Sequence, residues 1–317
     1  MGVLISVFLY LLAILAIWLG ASLIIKAVDR ISRKLRVSSF AMSFFVLGLM
    51  TSIPEMAVGV NAVINHKPEV FVGSLLGGVV VIFLLIIPLL AILGNGIKLN
   101  HDLDTKKILG LLTVIAAPGL MIVDKKVTTL EGLFLVILYV AIFFLIERRH
   151  GVLEDDKSQI LSLKAYSIMD LAKVVLGMGL VFVASQYVVS QTIFFAQLLH
   201  MPAFYISLIL LSLGINLPEM SLALRAIMTK KKDIAFGDYL GSAAANTLLF
   251  GLFTLASGGE VLALNSFGAT FLFVLFGLGL FYFFSRSKKE ISRNEGFVLL
   301  VVYLAFVIFE LGKGMVA

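Results

Sequence analysis

Ten apolar segments, each close to the length of a membrane-spanning helix, follow one another along this chain with short charged breaks between them. A hydrocarbon core about 30 Å thick requires about 20 helical residues. Since 61% of the residues are hydrophobic and only 14% are charged, a water-soluble globule would expose too much apolar surface. The composition excludes a soluble enzyme, a nucleic-acid-binding protein and a disordered chain. The predicted spans lie near residues 3–25, 38–64, 70–94, 107–123, 129–146, 168–190, 203–228, 234–257, 266–285 and 295–315.

The basic residues predict how these spans are oriented. Of the 25 Lys and Arg residues, 20 fall in the loops after odd-numbered spans, 4 fall on the opposite side, and Lys173 lies inside span 6. Cytoplasmic loops are enriched in Lys and Arg, so the loops after odd-numbered spans are predicted to be cytoplasmic. Both termini are then expected outside, and we expect a multi-pass protein of the cell (plasma or inner) membrane.

Two stretches of the chain resemble each other at an offset of 164 residues. The Pro54-Glu55-Met56 triplet matches a second Pro-Glu-Met triplet at residues 218–220, and a glycine follows each Glu at the same distance. Nine identities in register indicate an internal repeat. The identical pairs are Phe40 and Phe204, Ser43 and Ser207, Leu47 and Leu211, Pro54 and Pro218, Glu55 and Glu219, Met56 and Met220, Gly73 and Gly237, Leu76 and Leu240, and Gly77 and Gly241.

Each repeat contains five spans, and an odd number makes the two halves cross the membrane in opposite senses. The predicted fold is therefore an all-α membrane protein with ten transmembrane helices arranged as two inverted five-helix repeats. The predicted units are a first repeat over residues 1–147, a cytoplasmic connecting loop over 148–166 and a second repeat over 167–317. Secondary transporters built this way bind their substrate near the bilayer midplane, on broken helices. The proline of each Pro-Glu pair is the predicted break.

Glu55 and Glu219 lie in the middle of apolar spans, where an ionised carboxylate costs about 2.5–3.5 kcal/mol on insertion scales. A lone glutamate of this kind is as well explained by protonation or by a hydrogen bond to a neighbouring helix. A repeat-related pair beside hydroxyl side chains favours a site for a hard cation such as Ca²⁺ or Na⁺. Neutral oxygens for the same site are expected from Thr51, Ser52, Asn216, Ser242 and Asn246.

Other polar and small residues receive simpler interpretations. Gly73 and Gly77 are expected to let span 2 pack closely on span 3, and the matching glycines to do the same for spans 7 and 8. Asp238 is interpreted either as an interface residue or as a way station for cations. Glu310 is expected to reach water near the outer end of span 10. Asp170 and Lys173 are expected to pair on one helix face.

These motifs resemble the cation/calcium exchanger superfamily, which includes the sodium/calcium exchangers. The family carries a Gly-Thr-Ser-Leu-Pro-Glu stretch, which here reads Met-Thr-Ser-Ile-Pro-Glu at 50–55 and Gly-Ile-Asn-Leu-Pro-Glu at 214–219. A Gly-Asn-x-x-Gly-Ser-x-x-x-Asn/Asp stretch corresponds to residues 73–82 and 237–246. The resemblance covers the whole chain. It implies alternating access, in which spans 1 and 6 slide across a core formed by spans 2, 3, 7 and 8.

The resemblance also implies that Glu55 and Glu219 bind Ca²⁺ while flanking hydroxyls and carbonyls bind Na⁺. Ile215, Gly78 and Ile82 stand where the family has Thr, Ser and Asn or Asp, so three polar ligands are missing. Asn216 resembles the proton-coupled branch of the family, and a proton can use a carboxylate with few other ligands. Proton coupling is therefore an alternative to sodium coupling.

The leading hypothesis is a secondary-active antiporter that exchanges Ca²⁺, or a related hard cation, against Na⁺ or H⁺. The alternative is a relative that keeps the fold and has lost exchange, such as a channel or a sensor. We expect no enzymatic activity, no covalent cofactor and no nucleic-acid partner. The expected partners are the lipid bilayer and the transported cations, and the protein is expected to work as a monomer.

Overall fold

The computed structural model is almost entirely α-helical and describes residues 3–32, 44, 48–98, 105–147, 168–229, 232–258, 260–262, 267–287 and 290–316. The helices are α1 (Val3–Ser32), α2 (Gly48–Thr51), α3 (Ile53–Ile64), α4 (Pro68–Val81), α5 (Ile87–Leu93), α6 (Thr105–Met121), α7 (Thr129–Glu147), α8 (Ile168–Leu198), α9 (Ala203–Ile206), α10 (Ser212–Ile215), α11 (Leu217–Thr229), α12 (Lys232–Ala256), α13 (Gly268–Ser287) and α14 (Arg293–Val316). Two π-helical turns, Ile82–Ile86 and Ser207–Leu211, join α4 to α5 and α9 to α10. The predicted connecting loop at 148–166 and the side chain of Asp170 lie outside what the structure describes.

Six helical stretches are long and apolar enough to cross a membrane, and four shorter helices are also apolar. The long ones are Val3–Gly20, Pro68–Leu93, Val175–Leu198, Phe236–Ala256, Gly268–Arg286 and Arg293–Met315, and the short ones are Ile53–Ile64, Ile108–Met121, Thr129–Ile142 and Ala203–Ile215. These helices confirm the prediction of an all-α membrane protein.

The long helices differ in how deeply they are buried, and the difference identifies the centre of the bundle. Pro68–Leu93 is 83% buried and Phe236–Ala256 is 78% buried, whereas Arg293–Met315 is only 28% buried. Large apolar side chains on the outer helices, such as Leu4 and Ile308, are exposed. Because lipid solvates such side chains, their exposure fits a membrane protein. The central pair, α4 and α12, therefore carries the structural core.

Two short antiparallel β-ladders, which the sequence does not predict, connect the two halves of the chain. Ile97–Lys98 (β1) pairs with Glu290–Ile291 (β4), and Ile97 lies opposite Ile291. Lys126–Thr128 (β2) pairs with Glu260–Leu262 (β3). Each ladder therefore ties a loop of the first half to a loop of the second.

The glycines of α4 and α12 make their closest approaches between the two halves of the chain. A Cβ added to Gly73 would lie 2.6 Å from the carbonyl oxygen of Phe204, and one added to Gly77 would fall on the carbonyl oxygen of Leu208. Gly241 approaches the carbonyl oxygen of Phe44 in the same way. The predicted glycine packing within each half is therefore wrong, since these close contacts pair α4 with α9 and α10, and α12 with the chain at Phe44 and α2.

The first helix and α8 pack together along their lengths, and both are longer than predicted. The predicted spans end near 25 and 190, whereas the helices continue to Ser32 and Leu198. Tyr10 contacts α8 through its hydroxyl, 3.3 Å from Thr192 Oγ1. Asn61 Nδ2 on α3 donates a 2.8 Å hydrogen bond to Ser185 Oγ on α8. This bond links the α1–α8 pair to the rest of the bundle.

Replacing Gly77 by Ala is expected to destabilise the protein. The new methyl group would overlap the Leu208 carbonyl oxygen, and overpacking of this kind costs about 1–3 kcal/mol. Gly179→Ala on α8 is the matched control, because its added Cβ meets no atom within 4 Å. Thermal unfolding of the purified variants should show a lower Tm for Gly77→Ala and an unchanged or higher Tm for Gly179→Ala. Equal Tm values would contradict the packing described here.

Candidate cation site

Two helix breaks place the glutamates of the repeated motif. Helix α2 ends before Ser52, which has φ −77° and ψ 6°, and α3 begins at the next residue. Asn216 separates α10 from α11 in the same way, with φ −87° and ψ 16°. Each proline occupies the second position of the following helix, where its missing N–H has no partner to lose. The breaks therefore precede the prolines by two residues, whereas the sequence suggests the prolines themselves.

As a result of these breaks, Glu55 and Glu219 lie in the first turns of α3 and α11. The N-terminal end of a helix carries partial positive charge from its free N–H groups, which stabilises a nearby carboxylate. Both side chains are buried, with 1% and 0% of their surface exposed. The broken helices thus offset part of the cost of two negative charges inside the bundle.

Hydroxyl groups surround Glu219, and one of them contacts a hydroxyl group from the first half of the chain. Ser242 Oγ on α12 donates a 3.0 Å hydrogen bond to Glu219 Oε1. The same Oγ lies 3.2 Å from Ser52 Oγ at the break after α2. The Tyr239 hydroxyl donates to the backbone carbonyl of Glu219 at 3.3 Å. All four side chains are buried, so the contact between the two halves is closed to solvent.

Asp238 belongs to this cluster, so of its two sequence interpretations the one as an interface residue is wrong, and the one as a way station for cations stays a prediction. It has 0% exposure, and Thr51 Oγ1 donates a 3.0 Å hydrogen bond to its Oδ1. Asp238 precedes Ser242 by four residues and shares its helix face. The four-residue spacing of Asp238 and Ser242 is the one feature of the sequence that could have placed Asp238 in the site. The repeat does not point to Asp238, because the equivalent position in the first half holds Ser74 and not an acid.

The side-chain amides of Asn216 and Asn246 both approach Gly78. Asn216 Nδ2 donates to the Ser212 carbonyl at 2.8 Å, and Asn246 Nδ2 donates to the Leu75 carbonyl at 3.3 Å. A Cβ on Gly78 would lie 2.9 Å from Asn246 Nδ2 and 3.3 Å from Asn216 Nδ2. The amide nitrogens therefore face backbone, and both amide oxygens are left to accept other partners.

Buried side-chain oxygens without a hydrogen-bond donor are concentrated at this cluster. A buried oxygen of this kind is costly unless it is paired, and an oxygen-binding cation would satisfy several at once. Two further buried oxygens of the described residues, on Gln191 and Glu310, also have no donor. The six in the cluster are Glu55 Oε1 and Oε2, Asn216 Oδ1, Glu219 Oε2, Asp238 Oδ2 and Asn246 Oδ1.

The carboxylates interact electrostatically with one another. The negative charges of Glu219 and Asp238 repel a charge on Glu55, and that of Glu219 repels a charge on Asp238. Within the described ranges, no three His, Cys, Asp or Glu side chains are arranged so that they could hold one metal ion. A cation bound between two of the carboxylates would complete its shell with neutral oxygens. Ile82 and Ile215 are fully buried and offer none, as the sequence indicates.

Glu310 on α14 lies apart from this cluster. The expectation that it reaches water is wrong, because its exposure is 0% and Thr270 Oγ1 donates a 2.7 Å hydrogen bond to its Oε1. The end of α14 is covered, since Gly314 packs against Met201 and Tyr205. Glu310 therefore provides a buried carboxylate outside the candidate site.

Comparisons with known proteins place the chain among cation exchangers. Residues 5–146 and 170–312 match the family described as sodium/calcium exchanger protein. The chain is 25% identical to the sodium/calcium exchanger MaX1 of Methanosarcina acetivorans, over 91% of this chain and 93% of the relative. It is 24% identical to the inner membrane protein YrbG of Escherichia coli, over 79% and 82% of the two chains.

A solved structure has the same fold. The sodium-calcium exchanger NCX_Mj, soaked with 2.5 mM Na⁺ and 1 mM Sr²⁺, superposes with a TM-score of 0.69 at 22% identity, covering 97% of this chain and 99% of that one. Together with the family match over both halves of the chain, this shows that the protein is a multi-pass membrane protein belonging to the sodium/calcium exchanger family.

Proposed function

We propose that this protein is a secondary-active antiporter that moves Ca²⁺, or a related hard cation, in exchange for Na⁺ or H⁺. The observation that carries the proposal is the cluster of six unpaired, buried acceptor oxygens around Glu55 and Glu219. Carboxylate and amide oxygens are the ligands that hard cations prefer. The sodium/calcium exchanger MaX1, whose name states such an exchange, supports the same activity.

The proposed site consists of Glu55 and Glu219 as charged ligands, with neutral oxygens from neighbouring side chains. The neutral ligands are Thr51, Ser52, Asn216, Ser242 and Asn246. Their burial supports the assignment, because a dehydrated cation needs protein oxygens in place of water. No chemical reaction is required, since the two cargoes compete for the same negative charge.

The proposed architecture is ten spans in two inverted five-helix repeats, over residues 1–147 and 167–317, joined by a cytoplasmic loop at 148–166. The equivalent breaks at Ser52 and Asn216 support it, since they are separated by the 164-residue offset of the repeat. The distribution of Lys and Arg supports outside termini in a plasma or inner membrane.

Alternating access is proposed to move α1 and α8 as one unit against the core that carries the site. Their close pairing supports motion together, since a Cβ added to Gly20 on α1 would lie 2.9 Å from the Gly177 carbonyl oxygen on α8. The hydrogen bond between Asn61 and Ser185 joins this pair to α3, which begins at the site. A sliding motion would have to break it.

Proton coupling is the second candidate, and the buried apolar positions favour it. Ile215 and Ile82 supply no oxygen, and Gly78 supplies no side chain. Each absent ligand removes part of a sodium coordination shell, whereas a proton requires one carboxylate oxygen. The two candidates therefore differ in the ion that drives transport.

Replacing Glu55 or Glu219 by Gln is expected to abolish exchange. Losing a buried charge from an ion site costs about 3–5 kcal/mol, which corresponds to a loss of cation affinity of about 100-fold or more. Glu310→Gln removes a buried carboxylate outside the site and is the matched control. ⁴⁵Ca²⁺ uptake into proteoliposomes should fall to background in the first two variants and persist in the third. Uptake at the wild-type level in either site variant would contradict the site assignment.

The driving ion is measured with the same proteoliposomes. ⁴⁵Ca²⁺ uptake is followed under an outward Na⁺ gradient at equal pH, and separately under an outward proton gradient without Na⁺. Uptake under the first alone assigns sodium coupling, and uptake under the second alone assigns proton coupling. Equal, gradient-independent equilibration would instead identify a channel and overturn the antiport proposal.

A further inference from the structure

We propose that Arg286 and Arg293 form a binding site for the headgroup phosphate of an anionic phospholipid, at the end of the bundle where α13 leads into α14. Arg286 lies in the last turn of α13, and Arg293 is the first residue of α14. Both side chains are exposed and lie at the ends of helices long enough to cross a membrane. The two arginines take no part in the candidate cation site, so the inference does not depend on which ions the protein moves.

Each guanidinium group is held over an aromatic ring of its own helix. The guanidinium carbon of Arg286 lies 5.7 Å from the centre of the Tyr282 ring. That of Arg293 lies 5.8 Å from the centre of the Phe297 ring. An arginine on an aromatic face still presents its planar fork of N–H donors, which pairs with the oxygens of a phosphate group. The rings therefore position two phosphate-binding groups at one end of the helical pair.

The charge around the two arginines favours an anion. Residues 286–295 contain four basic residues and two acids in the sequence. The Glu295 carboxylate accepts two 2.7 Å hydrogen bonds from Ser292 at the start of α14. Glu290 lies in β4, and its carboxylate lies against Gly96. Both acids thus have contacts of their own, and the segment as a whole keeps an excess of positive charge.

The surface beside the arginines is apolar, which favours a lipid over a soluble anion. Phe283 on α13 is 68% exposed, and Phe297 on α14 is 45% exposed. In a membrane protein, exposed rings of this kind contact acyl chains. An anionic phospholipid offers its phosphate to the guanidinium groups and its acyl chains to these rings. The connection between α13 and α14 is predicted to be cytoplasmic, where anionic lipids attract basic residues close to the membrane.

Native mass spectrometry of the purified protein, titrated with phosphatidylglycerol, tests this proposal without requiring transport. We expect the Arg286→Gln, Arg293→Gln double variant to bind this lipid at least about tenfold more weakly than the wild type, the change that corresponds to about 1.4 kcal/mol. Lys125→Gln is the matched control, because Lys125 is exposed beside β2, at the end of the bundle where α13 begins. It should bind the lipid as the wild type does. Equal affinity of the double variant and the wild type would overturn the proposal, as would an equal loss in the control.

Two further titrations test the chemistry of the ligand. Phosphatidylcholine has the same phosphate and acyl chains without a net charge, so it should bind the wild type more weakly than phosphatidylglycerol does. Equal binding of the two lipids would overturn the assignment to an anionic lipid. Inorganic phosphate should leave phosphatidylglycerol bound. Its displacement by phosphate at an equal concentration would identify a site for a soluble anion and overturn the lipid assignment.

A second double variant covers the case in which the Gln variant fails to fold, as judged by size-exclusion chromatography. Arg286→Lys, Arg293→Lys keeps both positive charges and removes the planar fork of donors. It should therefore bind phosphatidylglycerol more weakly than the wild type. Binding at the wild-type affinity would overturn the role given to the stacked guanidinium groups.

Discussion

The arrangement of the bundle depends on how acidic side chains are accommodated in its buried centre. Inside a membrane protein, every buried polar group needs a partner from the protein or a bound ion. The breaks at Ser52 and Asn216 put Glu55 and Glu219 at helix N-termini, where free N–H groups favour negative charge. Ser242 adds a hydrogen bond to Glu219 and contacts Ser52 from the other half. The remaining free oxygens are acceptors, which the proposed cation would satisfy.

Close packing between the two halves makes this arrangement possible. The glycines at 77 and 241 let α4 and α12 approach backbone from the opposite half of the chain. The approach at Gly241 brings α12 against α2, and the hydrogen bond from Thr51 to Asp238 lies at the same contact. Larger side chains at these glycines would separate the elements whose hydroxyls reach the carboxylates. The packing of the core and the geometry of the site therefore depend on the same residues.

The sequence predicts those features that follow from local pattern or from repetition. Apolar segments predict membrane helices because hydrophobicity is averaged over about 20 residues, and the repeated Pro-Glu pair identifies two buried acids. The direction of glycine packing was mispredicted, because the sequence shows small residues without showing what they face. The place of Asp238 in the site was not predicted, because the equivalent position of the repeat holds no acid. The burial of Glu310 was not predicted, because the end of α14 is covered by residues of and beside α9. Such features depend on tertiary neighbours distant in the chain.

The departure of the site from symmetry is compatible with exchange. In the proposed antiporter an inverted repeat would relate the two sides of the membrane, and coupling would require only that both cargoes compete for the same carboxylates. Thr51 Oγ1 donates to Asp238 Oδ1, whereas at the repeat-related positions Ile215 has no side-chain oxygen and the Ser74 hydroxyl donates to the Phe71 carbonyl of its own helix. The acidic and hydroxyl side chains of the cluster are therefore distributed unequally between the repeat-related positions. The ligands missing at Gly78, Ile82 and Ile215 and the additional acid at Asp238 change the proposed site in both halves of the chain. Neither change removes Glu55 or Glu219, for which the two cargoes of the proposed antiporter compete.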